Sequence, residues 1–229
     1  MAIVTTPEPS IPVTTRLGPR FGFLTSTPII AVATICLALI VIVSVLAPLL
    51  APHDPLLLAP SQRLKPSSAQ FILGTDAYGR DLLSRTIYGG RISLLVGVGA
   101  AIVSIAIGLF IGLVSGFFKW VDAVMMRIMD GLMAIPSILL AIAVVSLSGA
   151  SVGTVMIAIT IPEIPRVARL VRSVVLTARE EPYVEAAISV GSSLPKIMWR
   201  HLMPNTIAPL IVQGTYVCAS AILTEAILS

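Results

Sequence analysis

Residues Ile92–Phe118 read ISLLVGVGAAIVSIAIGLFIGLVSGFF, twenty-seven residues without an Asp, Glu, Lys or Arg, bounded by Arg91 and Lys119. An α-helix rises about 1.5 Å per residue, so about 20 residues cross the ~30 Å hydrocarbon core of a bilayer. Only a helix or a closed barrel satisfies every backbone N–H and C=O where there is no water, and an unbroken apolar run is helical. This stretch therefore predicts a membrane-spanning helix.

The same rule, carried outward, predicts four more spans. Phe21–Pro52 contains no charge, too long for the h-region of a cleaved signal, and gives a first span at about 29–50, ended by Pro48 and Pro52. Gly131–Pro162 is also uncharged and too long for one crossing. Its small, polar middle, Ser148-Gly-Ala-Ser-Val-Gly153, breaks it into spans at about 130–147 and 152–171, the second kinked by Pro162 and Pro165. The fifth span is about 206–225. The expected fold is all-α, a polytopic transmembrane helical domain over residues 29–229, with 1–28 a flexible, Pro- and Thr-rich tail.

Composition agrees with lipid as the main solvent. Of 229 residues 56% are hydrophobic and 11% charged, against roughly 25% charged in soluble domains. The net charge of +4 does not gather on one basic face as nucleic-acid binding requires, because the Lys and Arg residues sit between apolar runs. They serve topology instead. The connection 163–201 holds Arg166, Arg169, Arg172, Arg179, Lys196 and Arg200, which places it in the cytoplasm with Lys119, Arg127 and the N-terminal Arg16 and Arg20. The loop 51–91 then falls outside, although it carries Arg63, Lys65, Arg80, Arg85 and Arg91. Gly108, Gly112 and Gly116 recur every four residues, placing a small-residue face on one side of the second span for close helix contact.

The chemistry of catalysis is missing from the sequence. No Gly-Lys pair exists to build a phosphate-cradling loop, so ATP is expected on a partner and not on this chain. His53 and His201 are isolated, and no nucleophile–base or paired-carboxylate spacing stands out, so no enzyme, metal or cofactor is expected. Cys36 and Cys218 lie in apolar runs and read as inert buried thiols.

Between the fourth and fifth spans, Glu180–Asn205 reads EEPYVEAAISVGSSLPKIMWRHLMPN. Pro182 suits the first turn of a helix, Val184, Ala187 and Ile188 recur at helical spacing, and Gly191 suits a left-handed stop. Ser192 or Ser193 then caps a second short helix with Leu194, Ile197 and Met198 as its apolar stripe, ended by Pro204. Such a pair either lies on the membrane surface or docks into another protein. The order Glu185-Ala186-Ala187, Gly191, Ile197, Leu202-x-Pro204 resembles the EAA loop of the permeases of ATP-binding-cassette (ABC) importers. The resemblance implies a coupling helix seated in an ATP-binding subunit, with Ala186 and Ala187 allowing close approach and Glu185 making a polar contact.

A second stretch, Leu73-Gly-Thr-Asp-Ala-Tyr-Gly-Arg-Asp-Leu-Leu-Ser-Arg85, is similar to the dipeptide, oligopeptide and nickel branch of that family, with Gly74, Thr75, Asp76, Gly79, Arg80, Asp81 and Arg85 as its signature. Read by itself, it predicts a helix from about Ala77 capped by Thr75 or Asp76, with an Asp81–Arg85 pair and Leu82, Leu83 and Ile87 on the apolar side. That would be an amphipathic helix leading into the second span, or a surface that gates or docks a binding protein. The acids lack the alternating spacing of a calcium loop.

The resemblance covers about 28–229. It implies a type I importer permease in the cell (inner) membrane with its N-terminus cytoplasmic, paired with a homologous permease, two ATP-binding subunits and an external solute-binding protein, and importing peptides, nickel or another small solute. Such permeases continue into a sixth span, so five of six are expected here. The alternative is a proton-coupled secondary transporter built on Glu163 in the broken segment Ile161-Pro-Glu-Ile-Pro165; the plainer reading of Glu163 is an ion pair with Arg166 or Arg169.

Overall fold

The structure, a computed structural model, describes residues 28–149 and 151–228. The tail expected at 1–28 lies, except for Pro28, outside them. The chain divides into two units, Met1–Ile40 and Val41–Ser229. The described part of the first is the opening of helix α1, Pro28–Val45, whose apolar sequence is uncharged throughout. Cys36, expected to be buried, is exposed on it.

The span expected at 29–50 is broken at Leu46. A one-turn helix α2, Ala47–Leu50, follows with Pro48 in its first turn, where a missing N–H costs little. The long apolar helix is α3, Leu82–Phe117, continuous through Gly89, Gly90 and Arg91 and so ten residues longer at its start than the uncharged run alone indicated. Asp81 caps it.

The third span was placed from Asp130. The structure instead has two helices, α4 (Lys119–Met133) and α5 (Ser137–Ser148), bent by 84° at a break before Pro136. A proline disfavours helical geometry in the residue before it, which accounts for the break. Helix α6, Val152–Ala178, begins at the Ser151 side chain, which accepts from the Thr154 N–H at 3.1 Å, and it stays helical through Pro162 and Pro165. The last elements are α7 (Pro182–Ser189), α8 (Leu194–Ile197), a π turn Met198–Leu202 and α9 (Met203–Leu228).

Three of the described elements are long and apolar enough to cross a membrane, namely α1, α3 and the run 194–228, and the bent pair α4–α5 makes a fourth. Helix α6 has the length, but Glu163, Arg166, Arg169 and Arg172 interrupt its apolar character. Those charges are paired. Among the described residues Glu163 meets Arg166 at 2.7 Å, Arg169 meets Asp130, and Arg172 grips Asp122 with two nitrogens.

The core is a three-helix junction of α3, α6 and α9. Lipid is as apolar as leucine, so helices associate in it through close packing more than through burial. Gly108, Gly112 and Gly116 supply that approach on α3. A Cβ on Gly108 would lie 2.5 Å from Val167 Cβ, and one on Gly112 would lie 2.6 Å from the Ala168 carbonyl oxygen. One on Gly116 would lie 2.6 Å from Val175 Cγ1. Val167, Val171 and Val175 of α6 are thereby buried, together with Leu210 and Val217 of α9 and Leu113 of α3.

The α4–α6 ion pairs are testable. Arg172→Gln is expected to loosen α4, seen as faster amide hydrogen exchange over 119–133. Adding Asp122→Asn to it should change stability by well under the ~1 kcal/mol of either alone, because both remove the same contact. Full additivity would show that the pair contributes nothing.

Candidate functional site

Two loops carry the residues singled out by sequence, and the structure builds them differently. In the 179–202 loop, Pro182 stands at the first position of α7 and Gly191 has φ +78°, the left-handed turn that stops the helix. The Gly191 N–H bonds the Ile188 carbonyl at 2.9 Å and the Ser192 N–H bonds that of Ala187 at 3.0 Å, so the helix end is closed by its own backbone. Ser193 sits at the N-cap of α8, but its side chain makes no cap bond.

Pro204, expected to end the second short helix, does not. The five-residue π turn at Met198–Leu202 leads straight into α9, with Pro204 as its second residue. A π turn displaces the helical hydrogen bonds by one residue, leaving room for a proline whose N–H is missing. Helix α9 therefore continues without a break from the end of the loop.

Burial divides the loop into two faces. Val184, Ile197 and Leu202 are fully buried, in the same cluster as Val171, Val175, Leu210 and Val217. Glu185, Ala186, Ser189, Val190 and Gly191 are exposed, Ala187 half so, and Val190 stands 85% clear of the protein. Asn205 ties the loop's base, its Nδ2 donating to Tyr183 Oη at 2.9 Å and to the His201 carbonyl at 2.6 Å. The result is an exposed surface whose supports reach directly into the junction of α3, α6 and α9.

The 51–81 loop is a compact cap. Asp76 does not start a helix; its carboxylate closes a tight turn, accepting from the N–H groups of Tyr78 at 2.8 Å and Arg80 at 2.9 Å and from the Arg80 guanidinium at 2.8 Å. Gly79, φ +78°, ends that turn so close to the chain that a Cβ would lie 1.8 Å from the Ala59 carbonyl oxygen. The helix therefore begins at Leu82, and Asp81, not Thr75 or Asp76, is its N-cap, accepting from the Ser84 N–H at 3.1 Å and the Ser84 hydroxyl at 2.6 Å. The expected Asp81–Arg85 pair is replaced by Asp76–Arg85. Thr75 is buried and joins three segments: it donates to the Gln62 carbonyl, accepts from the Lys65 N–H at 2.8 Å, and bridges to Asp81. Gly74 approaches the Lys65 carbonyl.

Sequence reasoning missed His53. Its backbone N–H reaches Ser84 Oγ at 3.1 Å, its ring lies 5.2 Å from that of Phe71, and its Nδ1 is 3.5 Å from Asp81. No spacing rule finds a contact thirty-one residues long.

Burial pushes both Asp76 and Asp81 up, but hydrogen bonds outweigh it. Those from Arg80 and Tyr78 hold Asp76 well below the usual carboxylate range, and those from Ser84 and the Leu83 amide lower Asp81. A carboxylate lowered on folding stabilises above its unfolded value of about 4 and loses that contribution as pH falls through the folded one. The cap is thus expected to loosen only below about pH 4, as faster hydrogen exchange over 59–81, while Asp76→Asn should loosen it at neutral pH. Unchanged exchange in that variant would refute the assignment.

Apolar helices of membrane-crossing length around a glycine-packed junction define an integral membrane protein of all-α architecture. The chain belongs to the family of binding-protein-dependent transport system inner membrane components, whose pattern matches residues 104–229. A probable peptide ABC transporter permease of Sinorhizobium fredii is 52% identical over 176 residues, 77% of this chain and 60% of that protein. A dipeptide transport system permease protein of Alkalihalophilus pseudofirmus is 38% identical over 231 residues, 97% of this chain and 76% of that one. A glutathione transport system permease protein of Pectobacterium atrosepticum is 41% identical over 165 residues, 72% and 54% respectively. The chain thus spans 60% of the first relative's length.

Proposed function

We propose that this chain is the transmembrane permease subunit of an ABC importer of peptides, coupled to separate ATP-binding subunits through α7 and the turn at Gly191. The observation that carries the proposal is the two-faced loop: Glu185, Ala186, Val190 and Gly191 exposed, Val184, Ile197 and Leu202 locked into the membrane core. A surface that only lay on lipid would not need three fully buried supports. The similarity to a peptide and a dipeptide permease favours peptides as substrate. On this reading five segments cross the membrane, 179–202 faces the cytoplasm with the N-terminus, and 51–81 faces outside. The path is shared with a second permease and fed by an external solute-binding protein.

Glu163 bears on the proton-coupled alternative. Its Oε1 is held by Arg166 at 2.7 Å while its buried Oε2 has no partner among the described residues. The two readings separate in one experiment: the chain, expressed in its host with an affinity tag, is purified with whatever subunits accompany it and reconstituted, and peptide uptake is measured with and without ATP. Importer function predicts co-purifying ATPase subunits and uptake only with ATP and binding protein. Uptake driven by a proton gradient alone would overturn it.

A further inference from the structure

The 51–81 cap exposes more apolar surface than a loop in water tolerates. Leu56 is 77% exposed, Leu57 and Leu58 62% each, and Leu64 67%, with Ile72, Leu73 and Tyr78 also more than half exposed. These residues come from two segments held side by side, the Ala59 N–H bonding the Tyr78 carbonyl at 3.2 Å and the Leu64 N–H that of Asp76 at 3.1 Å. Exposed apolar side chains concentrated on two adjoining segments mark a surface that meets another apolar phase.

Leu64 adds a backbone signal. Its φ of +53° makes it the one non-glycine residue with positive φ among those described. Left-handed geometry is unfavourable for a residue with a side chain, and here it falls on an exposed apolar tip. The tip is flanked by Arg63 and Lys65, both exposed, and neither pairs with an acid among the described residues. The neighbouring arginines differ: Arg80 and Arg85 both contact Asp76, which offsets one of their two charges. Two cations without an acidic partner among the described residues therefore stand on either side of Leu64.

We propose that this face of the cap lies on the bilayer, with Leu56–Leu58 and Leu64 inserted at the headgroup boundary and Arg63 and Lys65 bound to anionic lipid phosphates. Continuity favours lipid over a protein partner. Leu46, Leu49 and Leu50 at the end of the first membrane helix are themselves exposed, Leu49 by 82%, and Leu56 follows Leu50 by six residues. Between them the Leu56 N–H donates to Asp54 Oδ1 at 2.9 Å in a local turn. An apolar stripe flanked by basic residues is also the pattern by which interfacial segments bind membranes that carry anionic lipid. The inference does not depend on what is transported.

The test is depth in the membrane. Nitroxide labels are placed at Leu57→Cys, Leu64→Cys and, as a control, Gln70→Cys, each in a Cys36→Ser, Cys218→Ser background. The protein is reconstituted in phosphatidylethanolamine vesicles with and without phosphatidylglycerol. The expected result at 57 and 64 is high collision with oxygen and about tenfold lower collision with a water-soluble nickel chelate than at 70, as for residues at the acyl boundary. Arg63→Gln with Lys65→Gln should raise chelate access at 64 only when phosphatidylglycerol is present. Labels at 57 and 64 as water-accessible as the control would overturn the proposal. So would protection that appears only on adding an external solute-binding protein, which would assign the face to that protein.

Discussion

Gly112→Leu is expected to prevent the α3–α6–α9 junction from forming, giving a chain that reaches the membrane but unfolds in mild detergent and is degraded. Even the first added carbon would stand 2.6 Å from the Ala168 carbonyl oxygen and 2.6 Å from Val171 Cβ, and the first of these is backbone. A side chain can rotate away; a carbonyl inside a helix can retreat only if the whole helix moves. Separating α3 from α6 would unpack Val167, Val171 and Val175, which are fully buried against it. Overpacking in a dense core costs about 1–3 kcal/mol for single methylenes, so a leucine here exceeds that range, and Gly112→Ala should fall within it. Gly89 and Gly131 are the controls, since a Cβ on either meets nothing within 4 Å. Alanine at those helical positions should leave stability unchanged or raise it by up to about 1 kcal/mol, glycine being the poorer helix former. Thermal unfolding in detergent decides the matter, and wild-type stability in Gly112→Leu would refute the packing argument.

That the same three glycines stand out in the sequence explains why the helical core was legible there. Lipid imposes one rule, a helix of sufficient apolar length, and the four-residue period of Gly108, Gly112 and Gly116 names the face. Interruptions were less legible, some because two local arrangements compete and some because they arise from contacts distant along the chain. Nothing local says that Asp76 will spend its carboxylate on the Tyr78 and Arg80 amides and leave capping to Asp81, since both are good caps. The α4–α5 bend follows from Pro136, yet the uncharged run around it concealed where one helix stops. Arg166, Arg169 and Arg172 lie on one face by spacing, and Glu163 is within reach of Arg166, but Asp130 and Asp122, the partners of Arg169 and Arg172, lie thirty-nine and fifty residues away. In the 179–202 loop, Pro182 and Gly191 mark their own turns, whereas Pro204 misleads because the π turn before it is invisible to a period of 3.6.

Gly191→Asp and Glu185→Lys are expected to leave the chain folded and inserted while abolishing ATP-dependent uptake. Neither replacement disturbs the core. A Cβ on Gly191 meets nothing within 4 Å, and aspartate accepts the left-handed geometry at φ +78° at a cost of roughly 1 kcal/mol. Glu185 is exposed, forms no ion pair among the described residues, and loses in substitution only the few tenths of a kcal/mol that an acid contributes in a helix's first turn. What both change is the charge on the surface proposed to enter the ATP-binding subunit. A charge misplaced at the centre of an interface costs about 2 kcal/mol or more, roughly thirtyfold in affinity. Gly191→Ala separates strain from charge: it carries the backbone penalty without the carboxylate, and uptake should persist. Three measurements are needed on each variant, namely thermal stability, recovery of ATP-binding subunits in affinity purification, and uptake. Normal stability with lost recovery and lost uptake in the two charged variants assigns the loop to coupling. Uptake at the wild-type rate in both would show that α7 is a surface helix of no consequence for transport, however firmly Val184 and Ile197 hold it to the core.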